Sequence, residues 1–333
     1  MNSAMRFAFC CAAGAVGAWV WRPSLAQSAE CYRGIQNPLT FRNPQRKGQV
    51  FSQRYEPYQL GEIIPITSDV ALFRFLLHNS EDEFNLKPCS TLQACYKYGV
   101  QPKDQCQRFY TPVTANHTQG YFDLIVKRKK DGLMTNHLFG MHVGDTLLFR
   151  SVAFKIQYRP NRWKHVGMIG GGTGFTPFLQ LIRHALMERS DSTEVDETKL
   201  SFLFCNRTER HILLGGVFDD LARRYPDRFR MFYTIDLAVD KEKWLERENH
   251  FLGYVTTDMI CRSMPAPEEK KKIVMLCGPD PLLSHVAGTP ISTMSSMSGS
   301  LNIQPMATDI NNLVSLGGLL KELGYDNTDV YRF

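Results

Sequence analysis

Three short stretches of this chain carry residue types suited to holding a charged, two-part ligand. The first is Arg108-Phe109-Tyr110-Thr111-Pro112-Val113. Alternate positions of a strand share a face, so Arg108 and Tyr110 project together. A planar guanidinium pairs bidentately with phosphate oxygens. An aromatic ring can pack on another flat ring, and a small hydroxyl such as that of Thr111 can reach a ring nitrogen. About sixty residues on comes Gly170-Gly171-Gly172-Thr173-Gly174-Phe175-Thr176-Pro177. Glycines let backbone approach a ligand closely, and a loop that feeds a helix start offers free N–H groups to anions. This is not a G-x-G-x-x-G fingerprint, because Phe175 stands where the last glycine belongs. The third stretch is Cys277-Gly278-Pro279-Asp280-Pro281, directly after the apolar run Ile273 to Leu276.

The elements that must position these stretches fall into two groups. Ile63 to Ile66, Ala71 to Leu77, Tyr121 to Val126 and Thr146 to Phe149 are short β-rich runs bounded by turn residues. Closely spaced strands without helices argue for an antiparallel β-barrel. From His165 the rhythm changes to strand, helix, strand, which implies an α/β domain with a parallel sheet. Its strands are read at Val166 to Ile169, Leu200 to Phe204, Phe229 to Ile235 and Ile273 to Leu276. Pro177 opens a helix with Phe178, Leu181, Ile182 and Ala185 on one face, and Thr176 reads as its N-cap. Asp236 follows the third strand. A carboxylate there either accepts from a ribose hydroxyl in the sheet crevice or simply opens a solvated loop. The resulting domains are 1–30 as an anchor or targeting segment, 31–58 as a linker, 59–158 as the barrel and 163–333 as the α/β domain.

The bulk composition sets limits. The chain has 333 residues, 43% hydrophobic and 22% charged, enough for two cores. Its net charge of +6 suits an acidic protein partner or an anionic membrane surface and does not call for nucleic acid. The nine cysteines form no C-x-x-C pair. An odd number in a chain of this size argues for reduced thiols, and Cys89, Cys95 and Cys106 lack the partners of a zinc site, so no metal is expected. At the amino terminus Arg6 precedes an apolar run from Phe7 to Trp21, short for a membrane span. It reads as a cleaved secretory signal, a mitochondrial presequence or an uncleaved signal anchor. Residues 288–308, rich in Ser, Met and Gly, read as a long loop.

Taken in order, the three stretches resemble the ferredoxin-reductase-like flavoproteins, and within them the NADH–cytochrome b5 reductase family. The resemblance covers roughly residues 59 to 333 and implies a barrel that binds FAD and a following domain that binds NADH. On that resemblance Arg108 holds the FAD phosphate, Tyr110 meets the flavin and Thr111 lies near its reactive nitrogen. Val126 and Lys127 lie beside flavin and nicotinamide. Gly132-Leu133-Met134-Thr135, similar to the family's Gly-x-Met-Ser, cradles the pyrophosphate with its amides and hydroxyl. Gly171, Gly172, Thr173 and Thr176 bind the nicotinamide dinucleotide, Asp236 its ribose, and Cys277, Gly278 and Pro279 lie beside the nicotinamide. Thr111, Lys127 and Cys277 are then the residues nearest the chemistry. The resemblance also favours a membrane anchor, in a mitochondrial membrane or alternatively that of the endoplasmic reticulum, and a haem-protein acceptor such as cytochrome b5. Rival acceptors are a quinone or a ferric chelate, and a rival role is a reductase-like structural subunit of a larger mitochondrial assembly. Three departures stand out. Arg207 replaces Gln in Asn206-Arg207-Thr208-Glu209 and favours a 2′-phosphate. Arg150-Ser151-Val152 replaces Arg-Gly-Pro. Residues 84–106 replace a segment that usually contains Gly and His.

Overall fold

The computed structural model describes residues 51–152, 156–187, 195–289 and 316–333. The expected anchor of residues 1–30, most of the expected linker and nearly all of the 288–308 loop lie outside these residues.

The first half is an antiparallel sheet of β1 (Glu56–Pro65), β2 (Val70–Leu76), β3 (Thr91–Lys97), β4 (Gln105–Tyr110), β5 (Tyr121–Lys127) and β6 (Thr146–Val152). The strand order is β4-β3-β6-β1-β2-β5, with one helix, α1 (Leu133–Gly140), between β5 and β6. Part of the expected linker is built into the first half. β1 opens at Glu56, inside the stretch expected to be linker, and Phe51 is buried at 1% exposure among Tyr58, Phe84 and Phe122. A single aromatic in a polar stretch gives no periodic signal, yet its burial fixes the chain there. Ser151, one of the departures, strengthens the same junction. Its hydroxyl donates to Phe51 O at 3.2 Å and Ser52 O at 3.0 Å.

β2 and β5 are buried on both faces. Ala71, Phe73, Phe75, Phe122, Leu124 and Val126 fill the barrel. Val70, Leu72 and Ile125 point the other way, into a cluster that includes Phe175, Phe178, Leu179 and Ile182 of the second half. This is why both strands read as nearly continuous apolar runs rather than alternating ones. One charged pair interrupts the outer face. Asp123 is 1% exposed and opposite Arg74 in register, and the guanidinium grips its carboxylate with bonds of 2.8 and 3.0 Å. Arg74 also reaches Glu62 at 3.0 Å and stacks over Tyr121 at 3.9 Å.

The second half is a parallel sheet of β7 (His165–Gly171), β8 (Lys199–Asn206), β9 (Phe229–Ile235), β10 (His250–Leu252), β11 (Lys272–Cys277) and β12 (Val330–Arg332), ordered β10-β9-β8-β7-β11-β12. The helices are α2 (Thr176–Met187), α3 (Gly215–Arg224), α4 (Lys241–Leu245), α5 (Thr257–Ser263), α6 (Asp280–Ala287) and α7 (Gly318–Glu322). The strand order turns back between β7 and β11, where such sheets open a crevice at their carboxyl ends. One detail differs from expectation. Thr176 is itself helical, with φ −59° and ψ −45°, and is not an extended N-cap. A 3-10 turn over Gly172–Phe175 runs straight into α2, so no separate cap is needed.

Burial raises the Asp123 carboxyl above its usual range, and the Arg74 guanidinium only partly offsets this. Arg74→Ala strands that charge, and loss of one partner from a buried pair costs about 3–5 kcal/mol. Denaturant titration at neutral pH is expected to show a loss of this size. It shrinks as pH falls through the raised carboxyl range, because a protonated Asp123 needs no counter-charge. A pH-independent loss below about 1 kcal/mol contradicts this reading.

Candidate active site

β4 and β5 are the two end strands of the first sheet. The candidate ligand residues of this half divide between these two end strands. Arg108 and Tyr110 lie on β4, with Thr111 just beyond it, and Val126 and Lys127 close β5. Arg108 is exposed. Its Nη1 donates to the adjacent Gln107 O at 2.7 Å, and it forms no ion pair among the described residues. Tyr110 packs partly into the barrel core, and burial pushes its phenol well above the usual range, so it stays neutral. The Thr111 hydroxyl makes no hydrogen bond among the described residues. Val126 is 2% exposed and turned into the barrel, so only its backbone faces the edge. Lys127 is half-exposed, with Nζ 3.4 Å from Asp69 Oδ2.

Helix α1 packs against β4. It starts at Gly132 with no side-chain cap and no acidic residue in its first turn. The N–H groups of its first turn are therefore free for an anion. The Thr135 hydroxyl differs from the role the resemblance assigns it. It accepts from Lys129 N at 3.1 Å and donates to Gly132 O at 3.1 Å, so it braces the loop and leaves the amides to meet a phosphate. Met134 is 1% exposed and inserts into the barrel core, so it too offers backbone only. A Cβ on Gly132 would lie 2.4 Å from Thr135 Oγ1, which explains glycine there. An unpaired guanidinium on one edge strand and an uncapped helix start against the same strand suit a pyrophosphate bridge.

The other three groups meet at the crevice between β7 and β11. Gly170 is in register with Cys277, so the glycine loop and the Cys277-Gly278-Pro279 loop leave neighbouring strand ends side by side. They touch closely. A Cβ on Gly174 would lie 2.3 Å from Cys277 O, and one on Gly171 would lie 2.9 Å from Pro279 Cδ. Gly172 has φ +54°, and a Cβ there would meet nothing within 4 Å, so its backbone borders open space. Thr173 is partly exposed beside it, whereas Thr176 is buried at 9% exposure. Burial pushes the Cys277 thiol up to about 12, which keeps it protonated at neutral pH. A protonated thiol is a poor nucleophile. Asp236 lies two strands away across the same carboxyl edge. Asp236 N donates to Asn206 O at 3.1 Å and Leu237 N to Arg207 O at 2.9 Å, which makes Arg207 its neighbour.

The halves that carry these two groups of residues are packed together. The Gly172–Phe175 turn contacts β5. Arg183 on α2 donates from Nη1 to Val113 O at 2.6 Å, two residues past Thr111. Arg183 and Asp69 were not foreseen. Thr176, Gln180, Arg183 and His184, at i, i+4, i+7 and i+8, form a polar stripe on a largely apolar helix, and that stripe is the available signal.

Comparison with known proteins agrees with this division. A family model described as an oxidoreductase FAD-binding domain matches residues 57–158, and one described as an oxidoreductase NAD-binding domain matches residues 168–288. The chain is similar to NADH-cytochrome b5 reductase 2 of Ajellomyces capsulatus, 32% identical over 93% of this chain and 89% of the relative. It is 30% identical to the protein of that name from Kluyveromyces lactis, over 90% of each chain. This chain belongs to the NADH–cytochrome b5 reductase family. Among solved structures it resembles the cytochrome b5 reductase domain of Ulva prolifera nitrate reductase, with TM-score 0.66, 27% identity, and coverage of 86% of this chain and all of that one. The CS-b5R domains of human Ncb5or share the fold at TM-score 0.56 and 17% identity, over 86% of this chain and 71% of that one. As a member of this family the protein is an oxidoreductase with FAD and NADH as its cofactors.

The contact between the two crevice loops is directly testable. Gly174→Ala places a methyl against backbone that cannot move aside singly, a strain of about 1–3 kcal/mol. The expected result is roughly a tenfold or greater rise in KM for NADH with flavin content unchanged. An unchanged KM shows that the loops need not touch.

Proposed function

We propose that this protein takes hydride from NADH in the β7–β11 crevice and passes single electrons to a haem protein of the cytochrome b5 type. Bound FAD supplies the conversion of a two-electron donor into one-electron steps. The protein's residues bind, orient and shield. Arg108 and the first-turn amides of α1 hold the pyrophosphate from two sides. Tyr110 packs on the flavin, and the unoccupied Thr111 hydroxyl is the donor available to a ring nitrogen. Lys127 brings a cation to the seam between the halves. The backbone of Gly171, Gly172 and Thr173, ahead of Thr176, receives the nicotinamide dinucleotide, with Cys277, Gly278 and Pro279 as its floor and Asp236 on its ribose. Neutral Cys277 adds no charge where hydride leaves.

One observation carries this reading. The two end strands of the first sheet and the switch point of the second carry the residues suited to a dinucleotide, and one buried interface joins the halves that hold them. The tie from Ser151 to the segment before β1 supports an intact barrel, against a structural subunit that has lost its site. The apolar run from Phe7 to Trp21 supports attachment to a membrane, and we place the protein on a mitochondrial membrane, with the endoplasmic reticulum as the alternative. No helix among the described residues is long and apolar enough to cross one, and that run lies outside them.

The purified protein is expected to be yellow and to reduce cytochrome b5 with NADH, at a second-order rate that falls as salt rises, because the +6 chain steers an acidic partner. Arg108→Ala loses a charge-assisted phosphate contact of about 1.5–3 kcal/mol and is expected to shed FAD on gel filtration. Full FAD retention by that variant removes Arg108 from the site, and failure to reduce any haem protein removes the proposed acceptor class.

Nucleotide choice rests on neighbours. Asp236 accepts from a 2′-hydroxyl and repels a 2′-phosphate, while Arg207 beside it attracts one. Steady-state rates are expected to favour NADH in the parent. Asp236→Ala is expected to move the ratio toward NADPH, and Arg207→Gln to move it further toward NADH. Unchanged ratios in both variants place the ribose elsewhere.

A further inference from the structure

The ion pair between Lys127 and Asp69 joins the end of β5 to the turn between β1 and β2. The carboxylate is held in place before Lys127 is considered. The Thr67 hydroxyl donates to Asp69 Oδ1 at 2.9 Å, and the Asp69 carbonyl accepts from Arg128 N at 2.6 Å. The turn is closed by Ile66 N and Thr67 N, which donate to Val70 O at 2.8 and 3.0 Å. Val70 stands opposite Lys127 in register. Ile64, Ile66 and Val70 pack into the cluster that holds Phe175 and Phe178 of the second half. The interface between the halves thus orders the turn that carries Asp69.

Stability does not account for this arrangement. The two side chains are 43% and 42% exposed, and half-exposed pairs contribute little to folding. Position does account for it. A lysine has a flexible four-carbon stem and a point charge, so an untethered Lys127 would spread its ammonium over a wide arc of solvent. Partial burial pushes the Asp69 carboxyl up, and the Thr67 and Lys127 contacts more than reverse this, so the carboxylate stays charged at neutral pH. Its Oδ2 fixes where the ammonium rests, at the end of a strand that contacts the glycine turn.

We propose that Asp69 is a positioning residue, which holds the Lys127 ammonium at the seam so that it meets the nicotinamide dinucleotide without prior ordering. The inference rests on the reading of Lys127 given above. It assigns function to the β1–β2 turn, which lies on neither cofactor motif.

The test is a double-mutant cycle on the FAD-loaded full chain, read as NAD+ affinity by calorimetry and as KM and kcat for NADH. Asp69→Asn keeps the shape and one acceptor oxygen for Thr67. It is expected to weaken NAD+ and raise KM roughly three- to fivefold, the range of an exposed pair, with kcat little changed. Lys127→Ala weakens NAD+ at least as much. In the Lys127→Ala background, Asp69→Asn is expected to change nothing further, whereas a merely structural turn would weaken binding in both backgrounds. Equal weakening in both backgrounds overturns the proposal. So does tighter binding in Asp69→Asn, which would mean that the carboxylate competes with the ligand. If Lys127→Ala binds NAD+ normally, the role of Lys127 and the proposal fall together. If only Asp69→Asn is silent, the proposal falls and Lys127 keeps its role.

Discussion

Hydride transfer tolerates almost no gap: the donor and acceptor atoms must come within about 3–3.5 Å with their rings aligned. In a protein that holds its two cofactors on separate sheets, this constraint falls on the interface between them. Here that interface is apolar, with Val70, Leu72 and Ile125 from the barrel against Phe178, Leu179 and Ile182 from the second half. One buried polar contact fixes its register, from Arg183 to the carbonyl of Val113. A carbonyl two residues from Thr111 is thus tied to the helix that begins at the glycine turn. A shift of the interface would move both half-sites relative to each other, so the packing itself serves the chemistry.

The same economy governs each half-site. An edge strand has unpaired backbone groups that natural sheets must cover. In the first sheet the outer edge of β5 is partly covered by the chain itself, through Val113 N to Asp123 O and Asp123 N to the Thr114 hydroxyl. In the parallel sheet the glycine loop is compressed against Cys277 and Gly278 so tightly that no side chain fits at Gly174. Charge is applied sparingly. Arg108, Lys127 and Asp236 are at least partly exposed, while Tyr110 and Cys277 are kept neutral by burial.

Much of this was legible in the residues. Strand alternation put Arg108 and Tyr110 on one face, and the dense glycines before Thr176-Pro177 announced a strand–turn–helix. Period and length gave the long strands β7, β8, β9 and β11. What escaped was of two kinds. β10 and β12 have only three residues each and take their structure from the neighbours they pair with, so they carry no local period. Phe51, Asp69, Arg183 and the Thr135 hydroxyl act through partners far away in sequence or through loop geometry. Thr135 matches the family's small-hydroxyl position, yet the fold spends that hydroxyl on Lys129 and Gly132. A motif names a residue type, and only the surrounding backbone shows where its polar atoms are used.

The central claim is that the barrel seam and the sheet crevice form one hydride path. Anaerobic titration of the purified yellow protein with NADH, followed at the flavin absorbance band, tests this most directly. The oxidised band is expected to bleach with an endpoint at one NADH per flavin, because the halves are already docked. NADH that binds while the flavin stays oxidised would contradict it, since the two half-sites would then be present without meeting.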